Sequence, residues 1–237
     1  MSAERIQSVL VVTPCSARKA YRPPNLPTYD DLTSSDRRAD AFKRLAIQQL
    51  PAREMYIGQH HRSILDSIDR LRHELPGTLF QLAIVSAGYG LLDETTPIVP
   101  YDATFNGVAK KEALSHSHQL GIRRNLEERL SVVDVGLFVL GNTYLEAIEA
   151  PIVRAPMEVY FRARGRFQES DRAISVPAGR AEARLLGVAP RIVGAVVFQR
   201  FVDRVLQVGW AGAVDRLPHD GSELSTRPKK QDGSLIG

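Results

Sequence analysis

The stretch "SVLVVTPCSARKAYRPP", residues 8–24, carries the reading of the fold. Val9, Leu10, Val11 and Val12 form an unbroken apolar, mostly β-branched run. A strand with one wet face would alternate; a continuous run is what a strand covered on both faces of a parallel sheet needs. The run stops at Thr13-Pro14. Cys15, the only cysteine of the chain, follows at once, with Arg18 and Lys19 just beyond. In open α/β sheets ligands sit beyond the carboxyl ends of the strands, so the lone thiol falls where a ligand would be met. Its expected setting is an open cleft at the rim of the sheet, beside cations and within reach of an acid.

Similar apolar runs recur downstream. "LFQLAIVS" (79–86), "VDVGLFVLG" (133–141) and "RAISVPAG" (172–179) read as further strands. Helical spacing is expected from Ser35 or Asp36 to about Gln49, from about His60 to Glu74 where Pro76-Gly77 stops it, and over 110–130. "NTYLEAIEA" opens another helix, and "RAEARLLGV" and "RIVGAVVFQRFVDRVLQV" are two more. Residues 22–35 and 91–107, rich in Pro, Asp, Asn and Gly, read as irregular. Strands separated by helices imply a doubly wound α/β structure. The expected organisation is a single α/β domain over 1–213 and a polar, loose tail over 214–237.

Composition narrows the function classes. Of 237 residues 43% are hydrophobic and 24% charged, the profile of an ordinary soluble domain. No apolar run reaches the ~18 residues of a membrane span, and "MSAERIQS" has no secretory core, so no membrane partner and a cytoplasmic location are expected. A single cysteine excludes an internal disulfide and a thiolate-type zinc site. His116 and His118, two apart on a helix, diverge; no metal and no other cofactor is implied. The net charge is only +4, but arginine outnumbers lysine, and its planar fork suits phosphate. In Phe161-Arg162-Ala163-Arg164-Gly165-Arg166-Phe167, arginines interleave with aromatics. That points to a nucleic-acid backbone held by Arg162, Arg164 and Arg166, or else to a solvated loop.

Four strand ends supply the candidate site: "TPCSARK", "SAGYG", "LGNTY" and "VPAGR". Cys15 reads either as a small buried hydrophobe or as a thiolate nucleophile beside Arg18 and Lys19. Ser16, Arg18, Ser86, Gly88, Tyr89, Tyr101 and Asn142 would form the substrate-binding rim. Tyr89 and Tyr101 could stack on a base, or simply pack over the loop. Asp93 and Asp102, in a proline-bracketed loop, are the candidate proton carriers. His60 and His61 read more readily as a surface or cap pair.

"PCSARKAY" (14–21) resembles the "PCxxxKPY" motif of archaeosine synthase, which modifies 7-cyano-7-deazaguanine in tRNA; Pro14, Cys15, Lys19 and Tyr21 match, and Ala20 stands for the proline. The blocks "CSxRK", "MYxGxHHR", "IVSAGYGLLD" and "VPYDATF" also resemble a bacterial and phage group that accompanies deazaguanine modification of DNA, loosely related to the peroxide-stress protein family. The resemblance spans roughly residues 8–145 in short blocks. It implies a uracil-DNA glycosylase-like fold, a three-layer α/β/α sandwich with a mainly parallel sheet. It also implies a job for the thiol: Cys15 would add to a nitrile carbon, with Lys19 or Arg18 stabilising the thiolate. Asp102 or Asp93 would relay protons, and Tyr89 and Asn142 would hold the base. The expected partner is nucleic acid, DNA rather than tRNA because no RNA-binding domain of the PUA type follows the core. Two other readings stay open: a glycosylase-like enzyme using an aspartate-activated water on a flipped base, and a nucleic-acid or nucleotide binding module without chemistry.

Overall fold

A computed structural model describes residues 6–163 and 167–214, together with residues 217 and 224. The chain begins with β1 (Ser8–Pro14), then α1 (Tyr29–Thr33) and α2 (Ser35–Arg44), a two-residue strand β2 (Leu50–Pro51), α3 (Ala52–Met55) and α4 (Gln59–Glu74). Next come β3 (Leu79–Ser86), β4 (Gly90–Asp93), β5 (Pro97–Ile98), α5 (Lys110–Gln119), α6 (Ile122–Leu130), β6 (Val135–Phe138) and α7 (Asn142–Ala147). It closes with β7 (Met157–Arg162), β8 (Ala173–Pro177), α8 (Arg180–Leu186) and α9 (Val193–Val214).

Six strands form one sheet in the order β4-β3-β1-β6-β7-β8, and only the β3/β4 pair is antiparallel. β1 lies inside it, paired with β3 on one side and β6 on the other, and Val9 to Val12 are fully buried. The unbroken apolar run is thus explained: every side chain of this strand meets protein. Each such burial is worth about 1.5–3 kcal/mol. Helices flank the sheet; α4 packs along α9 and against β1 and β3, while α5 packs on α6 and α7. The protein is a three-layer α/β/α sandwich with a mainly parallel sheet. From β1 the chain crosses to β3, and only later returns to β6 on β1's other side. The carboxyl ends of β1 and β6 therefore border the topological switch point, the crevice where such sheets bind ligands.

Several local expectations are corrected. Residues 22–35 contain the short helix α1, whose start is tied by Asp31 accepting from the Thr28 N–H at 2.9 Å. The helix expected to reach Gln49 ends at Arg44. "SAGYG" is a tight hairpin turn joining β3 to β4, with Ser86 paired to Gly90, so part of the supposed irregular stretch 91–107 is sheet edge. The helical stretch 110–130 is two helices broken at Gly121, whose φ of 62° is left-handed. β7 was not expected as a strand at all. It carries a fully buried carboxylate, Glu158, which accepts hydrogen bonds from the N–H groups of Val153, Arg154 and Ala155 and from the Tyr160 hydroxyl. That side chain, with Tyr160 and Arg172, fastens the loop before β7. The expected tail over 214–237 lies, apart from residues 214, 217 and 224, outside the described residues.

Candidate functional site

The site is built from the carboxyl end of β1. Cys15 still belongs to the sheet, its N–H bonded to the Val85 carbonyl at 2.9 Å. The chain then turns outward, with Ser16 Oγ accepting the Arg18 N–H at 3.1 Å. Residues 18–20 run extended beside 55–57: Ile57 donates to the Arg18 carbonyl at 3.0 Å and Ala20 to the Met55 carbonyl at 2.9 Å. Gly58, at the start of α4, backs directly onto this turn. A Cβ there would fall 2.2 Å from Ser16 Oγ, so a side chain at 58 would displace that hydroxyl from its present position.

Around the thiol lies a set of hydroxyls. Cys15 Sγ and the Tyr144 hydroxyl share a hydrogen bond of 3.2 Å, and Tyr144 also meets Thr104 Oγ1 at 3.4 Å. Tyr101 hydrogen-bonds Tyr56 at 2.8 Å and Ser86 Oγ at 2.7 Å, and its hydroxyl also interacts with Cys15. Burial above all, then the proximity of Cys15, pushes the phenols of Tyr56, Tyr101 and Tyr144 well above their usual range. They remain protonated at any ordinary pH and can donate to a charged sulfur. The thiol is itself buried, with only 7% of the residue exposed. The open cleft expected for it is corrected: the sulfur sits one layer beneath the surface, against phenols.

Lys19 covers this layer. Its ammonium lies 4.0 Å from the centre of the Tyr101 ring and 5.9 Å from that of Tyr56. Burial pulls its pKa down, Cys15 and Asp102 pull it back up, and Arg22 adds to the lowering. An ammonium poised in this way can give up and recover a proton more readily than an exposed lysine. Above Lys19 and Tyr101 opens a cavity of about 140 Å³, walled by Arg18, Tyr21, Arg22 and Asp102 among others. An apolar cavity of about 150 Å³ admits benzene, so this one has room for a single planar ring.

The sequence matches no protein-family model and no curated protein.

Of the expected site residues, the structure brings together Cys15, Ser16, Arg18, Lys19, Tyr101 and Asp102. The rest are placed otherwise. Asp93 lies three positions back along the hairpin, opposite Ala83, and forms a two-pronged ion pair with Arg129 at 2.7 Å. It is exposed and belongs to the surface. Ser86 is buried and spends its Oγ on Tyr101 and on the N–H groups of Gly88 and Tyr89, so it supports the site rather than lining a rim. Gly88 is small because Leu32 and Tyr101 pack against it, with their carbons 2.6 and 2.8 Å from where a Cβ would lie. Tyr89 donates to the Val99 carbonyl at 3.2 Å and packs edge-on against Tyr101. Asn142 is exposed at the start of α7. Arg162 is 8% exposed and stacks over Phe167 at 4.9 Å, so it is no backbone clamp; Arg164 and Arg166 lie outside the described residues.

The histidine pair is no surface feature either: His61 is 1% exposed, and burial lowers its pKa to about 4, which keeps it neutral. Among the described residues no group of three or more His, Cys, Asp and Glu side chains could hold a metal ion. No described helix is long and apolar enough to cross a membrane. Sequence reasoning missed Tyr56, Thr104 and Tyr144. Tyr144 stood in view within "LGNTY", where the first helical turn carries position 144 inward and leaves position 142 outside.

Proposed function

We propose that this protein is a nucleic-acid base-modifying enzyme that uses Cys15 as a nucleophile, converting the nitrile of 7-cyano-7-deazaguanine in DNA to an amide. The observation that carries the reading is the 3.2 Å contact of Cys15 Sγ with a phenol that stays protonated, beneath a lysine and a cavity that admits one of the two fused rings of a deazaguanine. A solitary thiol in an aliphatic core has no use for such a setting. The substrate comes from the resemblance of "PCSARKAY" to the archaeosine synthase motif, and with it a uracil-DNA glycosylase-like variant of the sandwich.

In this mechanism the thiolate adds to the nitrile carbon, forming the C–S bond as one C–N π bond breaks. The nitrogen takes a proton from Lys19, giving a thioimidate. Water then adds to the same carbon, and the proton it loses passes through Asp102 to the nitrogen, which becomes NH2. The tetrahedral adduct collapses with cleavage of the C–S bond, its hydroxyl proton passing to neutral Lys19, which restores the thiolate and the ammonium and leaves the amide. The sum is one nitrile plus one water. Phenols aimed at the sulfur hold its charge before attack and after departure. Lys19 must move aside for the carbon to reach the sulfur, which a four-carbon stem permits.

The exposure of Asp102 on the cavity wall, against the burial of Cys15, favours a second reading: a glycosylase-like enzyme whose water is activated by Asp102, with the thiol a bystander. DNA containing cyano-deazaguanine separates the two. The nucleosides are analysed by mass spectrometry after incubation with wild type, Cys15→Ala and Asp102→Asn. The nitrile mechanism gives the amide nucleoside with wild type and none with Cys15→Ala. Free base released equally by wild type and Cys15→Ala establishes the glycosylase instead.

A further inference from the structure

The extended segment at 18–22 has a feature that base chemistry does not use. Lys19 lies over Tyr101, whereas Arg18, Tyr21 and Arg22 are all exposed on the cavity wall. Several other arginines are spent on acids: Arg37 on Asp31, Arg53 on Asp69 and Glu94, Arg129 on Asp93. Arg18 and Arg22 have no carboxylate within ion-pair distance among the described residues. Between them in sequence stands Tyr21, 42% exposed and among the few large apolar side chains left in water. The backbone ladder to Met55 and Ile57 fixes this strip against the body of the protein.

Two uncommitted guanidinium groups flanking an exposed aromatic, on the rim of a one-ring cavity, form the pattern by which proteins hold single-stranded nucleic acid: cations track the phosphates and the ring stacks on a base. We infer that the partner of this site is a single-stranded polynucleotide, with one ring of the target base in the cavity, a neighbouring base on Tyr21, and adjacent phosphates on Arg18 and Arg22. The inference rests on reading the cavity as a base pocket. It sets this strip, in place of the buried Arg162, as a backbone-binding element. A cavity of about 140 Å³ encloses one ring and leaves the flanking nucleotides outside, where this strip waits for them. A base stacked in a duplex cannot enter without first being extruded, and an unpaired strand avoids that cost.

The test is fluorescence anisotropy with a labelled single-stranded DNA about a dozen nucleotides long, its duplex, and a competing mononucleotide, over a series of salt concentrations. The single strand is expected to bind at least tenfold more tightly than the duplex and than the mononucleotide. In Arg18→Ala/Arg22→Ala the slope of log affinity against log salt falls by about 1.4, since each phosphate contact on a single strand contributes about 0.7. Tyr21→Ala weakens binding by about tenfold with the slope unchanged, and Tyr21→Trp restores it. Equal affinity for duplex, a mononucleotide that competes as well as the oligonucleotide, or variants that bind like wild type each overturn the inference. If Cys15→Ala and wild type bind alike with this pattern but no cyano-deazaguanine is converted, the strand-binding inference stands and the proposed chemistry falls. If a free nucleoside is converted while the oligonucleotide is ignored, the chemistry stands and this inference falls.

Discussion

Tyr144→Phe isolates the hydroxyl that the proposed mechanism needs. The change removes one oxygen and leaves the ring packed against Phe105, 5.3 Å away between centroids. Three contacts are lost, one of 3.2 Å to Cys15 Sγ, a stretched one of 3.4 Å to Thr104 Oγ1, and one to the Phe105 backbone. A neutral thiol is a weak partner, and Thr104 is only half-buried, so the folded state should lose no more than about 1 kcal/mol. For a chain of this size that is a fall in Tm of about 2–4 °C. The chemical step should suffer more. Once sulfur is charged, the same hydrogen bond is worth about 1.5–3 kcal/mol, so kcat on a cyano-deazaguanine oligonucleotide should drop roughly 10- to 100-fold. Turnover and a thermal melt on the same preparation check both numbers. A kcat within a factor of two of wild type would refute the idea that this phenol stabilises the sulfur, whatever happened to Tm.

Three further outcomes follow from the same contacts. Lys19→Met should abolish most turnover and flatten part of the stability–pH curve. Burial lowers the lysine's folded-state pKa below 10.5, so the unfolded chain binds more protons between the two values and wild-type stability gains there as pH rises; urea titrations at pH 8 and pH 10 should show a smaller gain in the variant. Thr13→Val should stabilise by about 1 kcal/mol in urea titrations, because the Thr13 hydroxyl is fully buried and finds no hydrogen-bond partner among the described residues; a loss of stability would mean that a partner exists. Glu158→Gln should destabilise by roughly 2–4 kcal/mol in the same assay, since an amide cannot accept from three backbone N–H groups and Tyr160 as a carboxylate does; an unchanged midpoint would show that this loop does not depend on the side chain.

The inner strands were readable because burial on both faces leaves a simple trace, an apolar run without alternation, in β1 and β3. β7 left no such trace. Glu158 and Arg162 interrupt its apolar character, and what makes them tolerable inside is a set of partners, loop amides for the first and Phe167 for the second, that no local pattern reveals. β4 was hidden for a different reason: the glycines of "SAGYG" look alike whether they admit a ligand or turn a hairpin. At the site, Cys15 and Lys19 could be found from strand-end logic, since both lie where the chain leaves β1 at the carboxyl edge of the sheet; Asp102 is reached only after β4 and β5 and is held beside Thr28. Asp93 shared that logic and failed it, because the antiparallel β4 carries the chain back down the sheet before Asp93 is reached. The tyrosines were out of reach. Tyr56 and Tyr144 join the thiol only through the packing of α3 and α7, and an aromatic at such a position reads the same whether it fills space or holds a proton.

The most direct measurement is the intact mass of the protein during turnover of a cyano-deazaguanine oligonucleotide, followed by peptide mapping. The account predicts a transient mass increase equal to the substrate, located on the peptide containing Cys15 and absent from Cys15→Ala. Product formation by Cys15→Ala at the wild-type rate, with no adduct on either protein, would contradict it.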